Sequence, residues 1–467
     1  MERLKNKMES SKRPHESDIS KECFIPTKKT SRDDYKSRKD NFMQWCSRER
    51  INIGPKVMIS REGSCAQFGM VAIADVKESE CLFEVPRHCV LRPETSSVAE
   101  IIKEASDQLV SESGWVKLLI SLLYEYTNPS SRWRPYFEMV PEFSEVDLPM
   151  FWDRSERLVE LRGTGVDMAV EKDLENVKKE FNNIVLPFIR KHDDKFPVQC
   201  QSIDLYKRMV AFVMAYSFTE PEREEDSDID TEDMPITKSP PMMVPVADIL
   251  NHIAKNNASL QFGKESLKMV ATRDIRKGEE VYNTYGQLAN NQLLHMYGFA
   301  EQYPDNHFDT VDIPMKLIYE VAKQETEDVD LLDEKWEFLQ GMDLIPDDGV
   351  FVIGADGVLT EEELYHTLKV LNLNRAEFED HREKEGWSDD NEDEENMTFA
   401  NIPLLPQSWK VLLAKVLQET FSGYAQSPEE DEKQLQNLST LSRRKKYSLF
   451  VRNGQRKLLQ RLLQCCQ

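Results

Sequence analysis

Long apolar runs and an apolar leader are both missing from this sequence. No stretch approaches the roughly 20 apolar residues that a membrane helix needs, and residues 1–12 are charged throughout rather than apolar. The 40% apolar and 31% charged residues among 467 positions are typical of a globular protein with some disordered segments. We therefore expect a soluble, intracellular protein of about two or three domains.

Cysteine is sparse, and its spacing excludes the usual zinc motifs. The eight cysteines form no C-x-x-C pair and no Cys/His cluster at zinc spacing. We predict no metal site and interpret these residues as reduced thiols, mostly buried as small apolar side chains: Cys23, Cys46, Cys65, Cys81, Cys89, Cys200, Cys465 and Cys466.

Net positive charge is also lacking. The chain has 60 lysine and arginine residues against 84 aspartate and glutamate residues, which leaves a formal net charge of −24. A phosphate backbone selects basic surfaces, so this balance argues against direct nucleic-acid binding. An acidic protein instead suits basic, lysine-rich peptides. The sequence therefore favours protein partners over nucleic acid or membrane.

A polar segment precedes the first domain. Residues 1–40 are rich in lysine, serine and arginine and poor in apolar residues, which predicts a disordered basic tail. Within it, Lys12-Arg13-Pro14 and Lys28-Lys29 fit a nuclear-import signal, although short basic clusters are also common as solvated charge. Both interpretations stay open.

The remaining chain divides into two domains and predicts an α+β fold class. Residues 41–305 begin with closely spaced strand-like runs, and amphipathic helical patterns then indicate a helical insertion at about 100–218. An acidic, proline-bearing loop follows at about 220–241. Residues 306–467 predict an all-α second domain, and we interpret Arg443-Arg444-Lys445-Lys446 as a solvated face of its last helix.

Two short segments about thirty residues apart carry the main functional signal. Asp248-Ile249-Leu250-Asn251-His252 and Tyr282-Asn283-Thr284-Tyr285-Gly286 both place polar residues after an apolar lead-in. The alternating runs at 259–262 and 267–272 between them predict a β-hairpin, which would bring the two segments together. Taken singly, Asn251 also fits a turn residue, His252 a core histidine and Tyr285 a packing aromatic.

The order of several short motifs is more specific than any one of them. Gln67-Phe68-Gly69-Met70, Asn251-His252, Tyr285-Gly286 and Tyr297-Gly298-Phe299 follow one another along the chain. This ordered set resembles the SET-domain methyltransferases. Further segments resemble the Rubisco large-subunit methyltransferase-like branch of that family: Gly114-Trp115, Arg132-Trp133-Arg134-Pro135-Tyr136-Phe137, Gly163-Thr164-Gly165-Val166 and Val213-Met214-Ala215-Tyr216-Ser217-Phe218.

The resemblance covers the chain from about residue 42 onward and implies its architecture. It implies a β-rich SET domain split by a helical insertion, followed by a helical substrate-binding domain of the Rubisco methyltransferase type. Many SET methyltransferases complete their site with a cysteine-rich zinc segment after the tyrosine. Nothing after Tyr285 supplies such a segment, so the helical domain is expected to complete the site here.

The same resemblance assigns the site residues. It implies S-adenosyl-L-methionine as cofactor and Tyr285 as the catalytic residue, whose hydroxyl orients the amine or the transferring methyl. The implied cofactor-binding residues are Ala66, Gln67, Phe68, Gly69, Met70, Tyr216, Asn251, His252 and Tyr297, and the implied substrate-binding residues are Trp115, Ser217 and Thr219. Core packing remains the alternative for Tyr216, Tyr297 and Trp115. Gln67 replaces the first glycine that SET domains often carry in this turn, which bears on cofactor affinity.

The resemblance also implies an activity and a location. The expected protein is a protein-lysine N-methyltransferase that adds one methyl group and is located in the nucleus, with the cytoplasm as an additional location. Its substrates would be a transcription factor of the NF-kappaB RelA type and a variant core histone, which implies roles in transcription regulation and histone modification.

Two other functions stay open on the sequence. Protein-histidine methylation occurs in the same branch, although Tyr216 stands where the histidine-modifying relative has an arginine, which favours lysine. A non-catalytic peptide-binding module is the third reading. Retention of Asn251, His252 and Tyr285 argues against it.

Overall fold

The computed structural model describes residues 32–66, 68–139, 146–221, 239–384 and 396–467. Its first helix, α1 (Arg32–Arg48), buries Phe42, Trp45 and Cys46 in the main core and packs against the helical insertion. The tail boundary that the sequence predicts at residue 40 is therefore corrected, because the helix already begins at Arg32. The rest of the predicted tail, residues 1–31, lies outside the described residues.

The β-rich part of the first domain consists of short strands from both ends of its sequence. The early strands are β1 (Asn52–Ile53), β2 (Val57–Ser60), β3 (Gly69–Ala72) and β4 (Cys81–Pro86), and three of them confirm predicted runs. They join later strands in two sheets, because β4 pairs with β9 and β3 pairs with β10. The two halves of the domain thus fold as one unit, although about 130 residues separate them.

The predicted helical insertion is confirmed between those halves. It contains α2 (Ala99–Glu104), α3 (Val116–Thr127), α4 (Arg134–Met139), α5 (Arg154–Glu160), α6 (Val166–Glu180), α7 (Leu186–Lys191) and α8 (Ile203–Tyr216). A π-helical turn at Phe181–Val185 joins α6 to α7, where Pro187 has no N–H to continue the α-helical ladder. The last helix ends at Tyr216, two residues earlier than predicted, because Ser217–Phe218 pair as a strand instead.

The second half of the domain supplies the remaining strands of both sheets. These strands are β5 (Ser217–Phe218), β6 (Met242–Met243), β7 (Asn251–His252), β8 (Ala258–Phe262), β9 (Ser266–Ala271) and β10 (Glu280–Asn283). The sheet orders are β1-β4-β9-β8 and β2-β3-β10-β7, with β5 and β6 as a separate antiparallel pair. The β8–β9 pair confirms the predicted hairpin. Residues 222–238 of the predicted acidic loop lie outside the described residues.

Helix α9 (Asn290–Tyr297) leads from the last strand towards the second domain, which has its own core. The domain contains β11 (Val311–Pro314), α10 (Met315–Glu325), α11 (Val329–Gly341), β12 (Val350–Ile353), α12 (Glu361–Asn372), α13 (Arg375–Glu383), α14 (Gln407–Ser422), α15 (Pro428–Leu435) and α16 (Arg443–Cys465). It is predominantly helical as predicted, and it also contains one antiparallel pair, β11 with β12.

The terminal helix α16 connects the two cores. Phe450 and Val451 lie in the first core, and Leu458 and its neighbours lie in the second. The interpretation of Arg443–Lys446 as solvated charge is wrong for Arg444. Its guanidinium donates to Asp147 at 2.6 Å and to Glu156 at 2.5 Å in the insertion.

No helix within the described ranges is long and apolar enough to cross a membrane. The seven cysteines in these ranges are free thiols. Four are buried, namely Cys46, Cys89, Cys200 and Cys466, which confirms the interpretation of mostly buried thiols for this part of the chain. Cys23 lies outside the described residues.

Candidate active site

Strand pairing brings the two key segments together. Strand β7 runs parallel to β10, with Asn251 opposite Tyr282 and His252 opposite Asn283. Just beyond these strands the rings of His252 and Tyr285 stack, with centroids 5.0 Å apart and an interplanar angle of 27°. The predicted convergence of the two segments is therefore confirmed.

Tyr285 is held at both its backbone and its hydroxyl. Its N–H donates to Nδ1 of His252 at 3.0 Å, and its hydroxyl donates to the carbonyl oxygen of Leu250 at 2.9 Å. Its ring also stacks on Tyr297 at 4.6 Å. Burial, followed by the neighbouring Tyr216 and Tyr297, raises the pKa of the Tyr285 phenol well above its ordinary value. The hydroxyl therefore stays neutral and can orient a partner, but it is not a general base near neutral pH.

His252 supports Tyr285 as a neutral side chain. It is 5% exposed, and burial lowers the pKa of its imidazole to about 4. Because Nδ1 accepts the Tyr285 N–H, the neutral ring carries its proton on Nε2. The histidine therefore adds no positive charge beside Tyr285 near neutral pH.

The side chains of Asn251 and Glu280 hold the turn that precedes β3 through hydrogen bonds to Ser64, Cys65 and Phe68. The Asn251 amide Nδ2 donates to the carbonyl oxygen of Phe68 at 3.0 Å and to Oε1 of Glu280 at 2.7 Å. The Glu280 carboxylate, 6% exposed, also accepts from Ser64 Oγ at 3.0 Å and from the N–H of Cys65 at 2.6 Å. These bonds fix a turn whose outer edge stays accessible, since Cys65 and its neighbour Ala66 are exposed.

Gly69 is required where this turn enters β3. A Cβ atom at this position would lie 2.3 Å from Oε1 of Glu280 and 2.5 Å from Oγ of Ser64, distances that real Cβ atoms do not reach. Its backbone φ is not in the left-handed region, so the requirement comes from close packing rather than from conformation. Glycine thus allows the turn to rest directly on Glu280 and Asn251.

Comparison with known proteins assigns a family to this geometry. A SET domain model matches residues 67–286, and a Rubisco LSMT substrate-binding model matches residues 326–459. The chain is 46% identical to N-lysine methyltransferase setd6 of Salmo salar over 434 residues, covering 91% of this chain and 95% of that protein. It is 43% identical to N-lysine methyltransferase SETD6 of Homo sapiens over 455 residues, covering 91% and 94%.

The chain belongs to the SET-domain N-lysine methyltransferases. The family, enzyme class and fold class predicted from the sequence are confirmed. Among solved structures, Rubisco LSMT bound to AdoMet matches with a TM-score of 0.65 and 20% identity, covering 92% of this chain and 91% of that one. At this identity the likeness shows the shared fold.

The structure of this SET-domain methyltransferase places most of the other predicted site residues near Tyr285 or the turn. Tyr297 stacks on Tyr285, and Tyr216 is close enough to raise the pKa of the Tyr285 phenol. Ser217 lies in β5 directly after Tyr216, and Thr219 follows that strand as an exposed residue. Their roles towards cofactor and substrate remain predictions.

The other three predicted residues are Trp115, Met70 and Gln67, and their roles also stay predictions. Trp115 precedes α3, and no hydrogen bond or ring contact among the described residues joins it to Tyr285; it packs against the main core. Met70 is fully buried and pairs with Val281 in the sheet, so its side chain faces the core rather than the outer edge of the turn. Gln67 lies outside the described residues.

Two buried carboxylates, Glu280 and Asp248, are not among the predicted site residues. No local signal marks the first, because alternation along a strand would place the neighbour of the buried Val281 on the opposite face. For the second, only the fold reveals the partner: Asp248 is 7% exposed, and its Oδ2 accepts from the Tyr136 hydroxyl of α4 at 2.6 Å.

The buried carboxyl of Asp248 should make the stability of the wild type depend on pH in a way that the Asp248→Asn variant does not share. Burial raises the pKa of its carboxyl to about 7, against the opposing hydrogen bond from Tyr136. A raised carboxyl pKa means that the folded state retains the proton while the unfolded chain loses it, so stability falls between about pH 4 and pH 7. We expect Asp248→Asn to gain stability relative to the wild type by a few kcal/mol on going from pH 5 to pH 8.

Urea unfolding of both proteins at the two pH values measures this difference. Asp309, whose carboxyl pKa burial raises to about 6, titrates in both proteins and cancels. An equal stability difference at pH 5 and pH 8 would contradict the prediction.

A cluster of three potential metal ligands lies outside the site. Glu49, His88 and Cys89 each present a potential metal ligand, and these atoms lie within 4.8 Å of one another. Burial, followed by the Glu49 carboxylate, raises the pKa of the Cys89 thiol to about 11, and the Arg132 guanidinium opposes this with a smaller effect. Because the thiol keeps its proton near neutral pH and metals bind the thiolate, we assign no metal to the cluster.

Proposed function

We propose that this SET-domain methyltransferase transfers one methyl group from S-adenosyl-L-methionine to lysine side chains of nuclear proteins. The observation that carries the proposal is the position of Asn251. Its amide holds the turn before β3, while the next residue, His252, contacts Tyr285. One two-residue strand thus joins the proposed cofactor shelf to the proposed site of transfer.

The residues present fit the cofactor. Gly69 leaves no space for a Cβ beneath the turn, so the turn rests on Glu280 and Asn251 and its exposed edge faces outward. Ala66, Phe68 and the Asn251-His252 pair would hold the cofactor there through backbone and side-chain hydrogen bonds. When bound, S-adenosyl-L-methionine supplies an electrophilic methyl group on a sulfonium.

The tyrosines would select and orient the amine. Tyr285 stays neutral and fixed by its bond to Leu250, so its oxygen can position an incoming amine without removing its proton. The amine must itself arrive neutral, and desolvation among Tyr285, Tyr297 and Tyr216 lowers the pKa of a buried lysine in the required direction.

The substrates follow from charge and family. A net charge of −24 favours a lysine in a basic segment of the partner. We propose a RelA-type NF-kappaB transcription factor and a variant core histone as substrates, and thereby roles in transcription regulation and histone modification. We further propose nuclear location, which a fluorescent fusion in cells tests, since exclusion from the nucleus would refute it.

Labelling and mass spectrometry test the activity. The protein is incubated with methyl-labelled S-adenosyl-L-methionine and either a nuclear extract or the two purified candidate substrates, and the modified residues are sequenced. Monomethyl-lysine is the expected product. Label on histidine would favour the other reaction of the branch, dimethyl or trimethyl product would refute single transfer, and no label on any protein would leave the binding-module interpretation.

Glu280 provides a test of the cofactor shelf. Its carboxylate accepts three hydrogen bonds, from Ser64, Cys65 and Asn251. The side-chain amide of glutamine is neutral and has one acceptor oxygen, so it cannot accept all of these bonds with the same strength. We expect Glu280→Gln to weaken S-adenosyl-L-methionine binding about tenfold or more, since a hydrogen bond to a charged group contributes about 1.5–3 kcal/mol.

Isothermal titration of S-adenosyl-L-methionine measures the effect. Glu84→Gln is a control in the neighbouring sheet, because Glu84 accepts from Ser266 and pairs with Lys268 rather than with the residues that Glu280 holds. Equal affinities of Glu280→Gln and the wild type would show that the turn does not depend on this carboxylate.

A further inference from the structure

The backbone before Asn251 is strained. Val246 has φ 74° and ψ −44°, a conformation close to the rare γ-turn and unfavourable for a β-branched residue. A tight turn at Ala247–Ile249 follows, closed by the Leu250 N–H donating to the Ala247 carbonyl at 3.2 Å. Such a backbone persists only where surrounding contacts hold it.

One of those contacts comes from the helical insertion. The Tyr136 hydroxyl of α4 donates to Oδ2 of Asp248, in the middle of the tight turn, at 2.6 Å. Tyr136 is 1% exposed, and its ring contacts Trp133, Phe137 and Phe212, which leaves the hydroxyl little freedom. The other carboxylate oxygen of Asp248, Oδ1, has no hydrogen-bond partner among the described residues. This side-chain hydrogen bond thus ties the turn to the insertion.

The turn leads directly to the catalytic tyrosine. Leu250, two residues after Asp248, accepts the hydroxyl of Tyr285 with its carbonyl oxygen at 2.9 Å. His252, four residues after Asp248, accepts the Tyr285 N–H. A movement of the turn would therefore displace both groups that hold Tyr285.

We propose that Tyr136 and Asp248 are positioning residues for methyl transfer, which hold the turn at 247–249 so that the Leu250 carbonyl fixes the hydroxyl of Tyr285. This inference rests on the proposed function. Neither residue touches the reacting atoms in this assignment; both act through Tyr285. The titratable groups that face Asp248 are Tyr136, Tyr285 and Cys46, all neutral near pH 7, so a hydrogen bond rather than an ion pair holds it.

A purely structural bond offers a comparison within the same insertion. The Tyr206 hydroxyl donates to Oε1 of Glu180 at 2.7 Å, and Tyr206 is 0% exposed. This bond joins α8 to α6 and involves no residue of the turn at 247–249. Tyr206→Phe therefore removes an equivalent bond without reaching Tyr285.

The test compares the full-length wild type, Tyr136→Phe and Tyr206→Phe on one lysine substrate with S-adenosyl-L-methionine. We expect Tyr136→Phe to lower kcat about tenfold, because misplacement of a reacting group by a fraction of an ångström has effects of this order. KM for the substrate and the Kd of the cofactor should stay within about threefold, and Tyr206→Phe should keep the wild-type kcat. Equal kcat values for the two variants would overturn the proposal.

A double-mutant cycle shows whether the pair acts through Tyr285. In the Tyr285→Phe background the Leu250 carbonyl has no hydroxyl to fix, so adding Tyr136→Phe should lower kcat by less than about twofold. The full tenfold effect in that background would overturn the proposal.

Asp248→Asn tests whether the hydrogen bond or the charge of Asp248 is important. It also gives a second test if Tyr136→Phe fails to fold. An asparagine side-chain oxygen can still accept from Tyr136, so Asp248→Asn should lose less kcat than Asp248→Ala, and equal losses would refute positioning by this hydrogen bond. A wild-type protein that transfers no methyl group would instead refute the proposed function itself, so the two failures are distinguishable.

Discussion

Tyr285→Phe is expected to lower kcat for lysine methylation about 100-fold, because loss of one preorganised donor at a reaction centre has effects of this order. The substitution keeps the ring that stacks on His252 and Tyr297. It removes the hydroxyl that donates to Leu250 and that would orient the amine. Cofactor affinity should stay within about threefold, since the residues of the turn are unchanged.

Initial rates with labelled cofactor on one lysine substrate measure this effect. Tyr319→Phe is the matched control, because Tyr319 donates to Asp333 at 2.6 Å in the second domain and should keep the wild-type kcat. Tyr285→Phe loses one hydrogen bond through the hydroxyl. Tyr319→Phe loses two, the bond to Asp333 and the bond that it accepts from Lys323 at 3.0 Å, so the control should lose at least as much stability, at about 1 kcal/mol per bond. A kcat for Tyr285→Phe within about threefold of the wild type would exclude a catalytic role for the hydroxyl.

The meeting of Asn251, His252 and Tyr285 could be predicted because its causes are local. An apolar lead-in buries each strand, and the hairpin between them closes over a short distance, so pattern and turn chemistry suffice. The helices of the insertion could be predicted for the same reason, since their apolar stripes repeat at helical spacing. The end of α8 could not, because Ser217–Phe218 leave the helix to pair with Met242–Met243 across the acidic loop.

The carboxylates Glu280 and Asp248 could not be predicted because their partners are distant in sequence. Glu280 bonds to residues more than 200 positions away, and the partner of Asp248 lies 112 positions away in another helix. A charged residue is normally solvated, and only the tertiary structure shows that these two are buried with donors around them. The partners of the basic residue Arg444 were unpredictable for the same reason. Its run of basic residues is typical of solvated charge, but in the fold its guanidinium pairs with Asp147 and Glu156.

Arg452→Leu is expected to destabilise the interface between the two domains. Arg452, at 0% exposure, donates from α16 to Asp431 of α15 at 2.7 Å and to the carbonyl oxygen of Glu160 in α5 at 2.6 Å. Removing one partner of a buried ion pair costs up to about 3–5 kcal/mol, and Arg456, which also donates to Asp431, offsets part of that cost. We expect Tm, measured by circular dichroism, to fall by a few °C, because a chain of 467 residues shifts by roughly 1 °C per kcal/mol.

The loss of the Arg452 hydrogen bonds should also affect the candidate active site. On α16, Tyr447 contacts Phe299, and Phe299 contacts Tyr285, each with ring centroids 6.4 Å apart. A loosened α16 therefore removes support from the ring cluster, so kcat of Arg452→Leu should fall more steeply with temperature than that of the wild type. Arg375→Leu is the control, because this arginine is 45% exposed in its pairs with Asp328 and Glu334, and exposed pairs contribute less than about 1 kcal/mol. If both variants unfold at the same temperature, the buried hydrogen bonds of Arg452 do not stabilise the contact between the two domains.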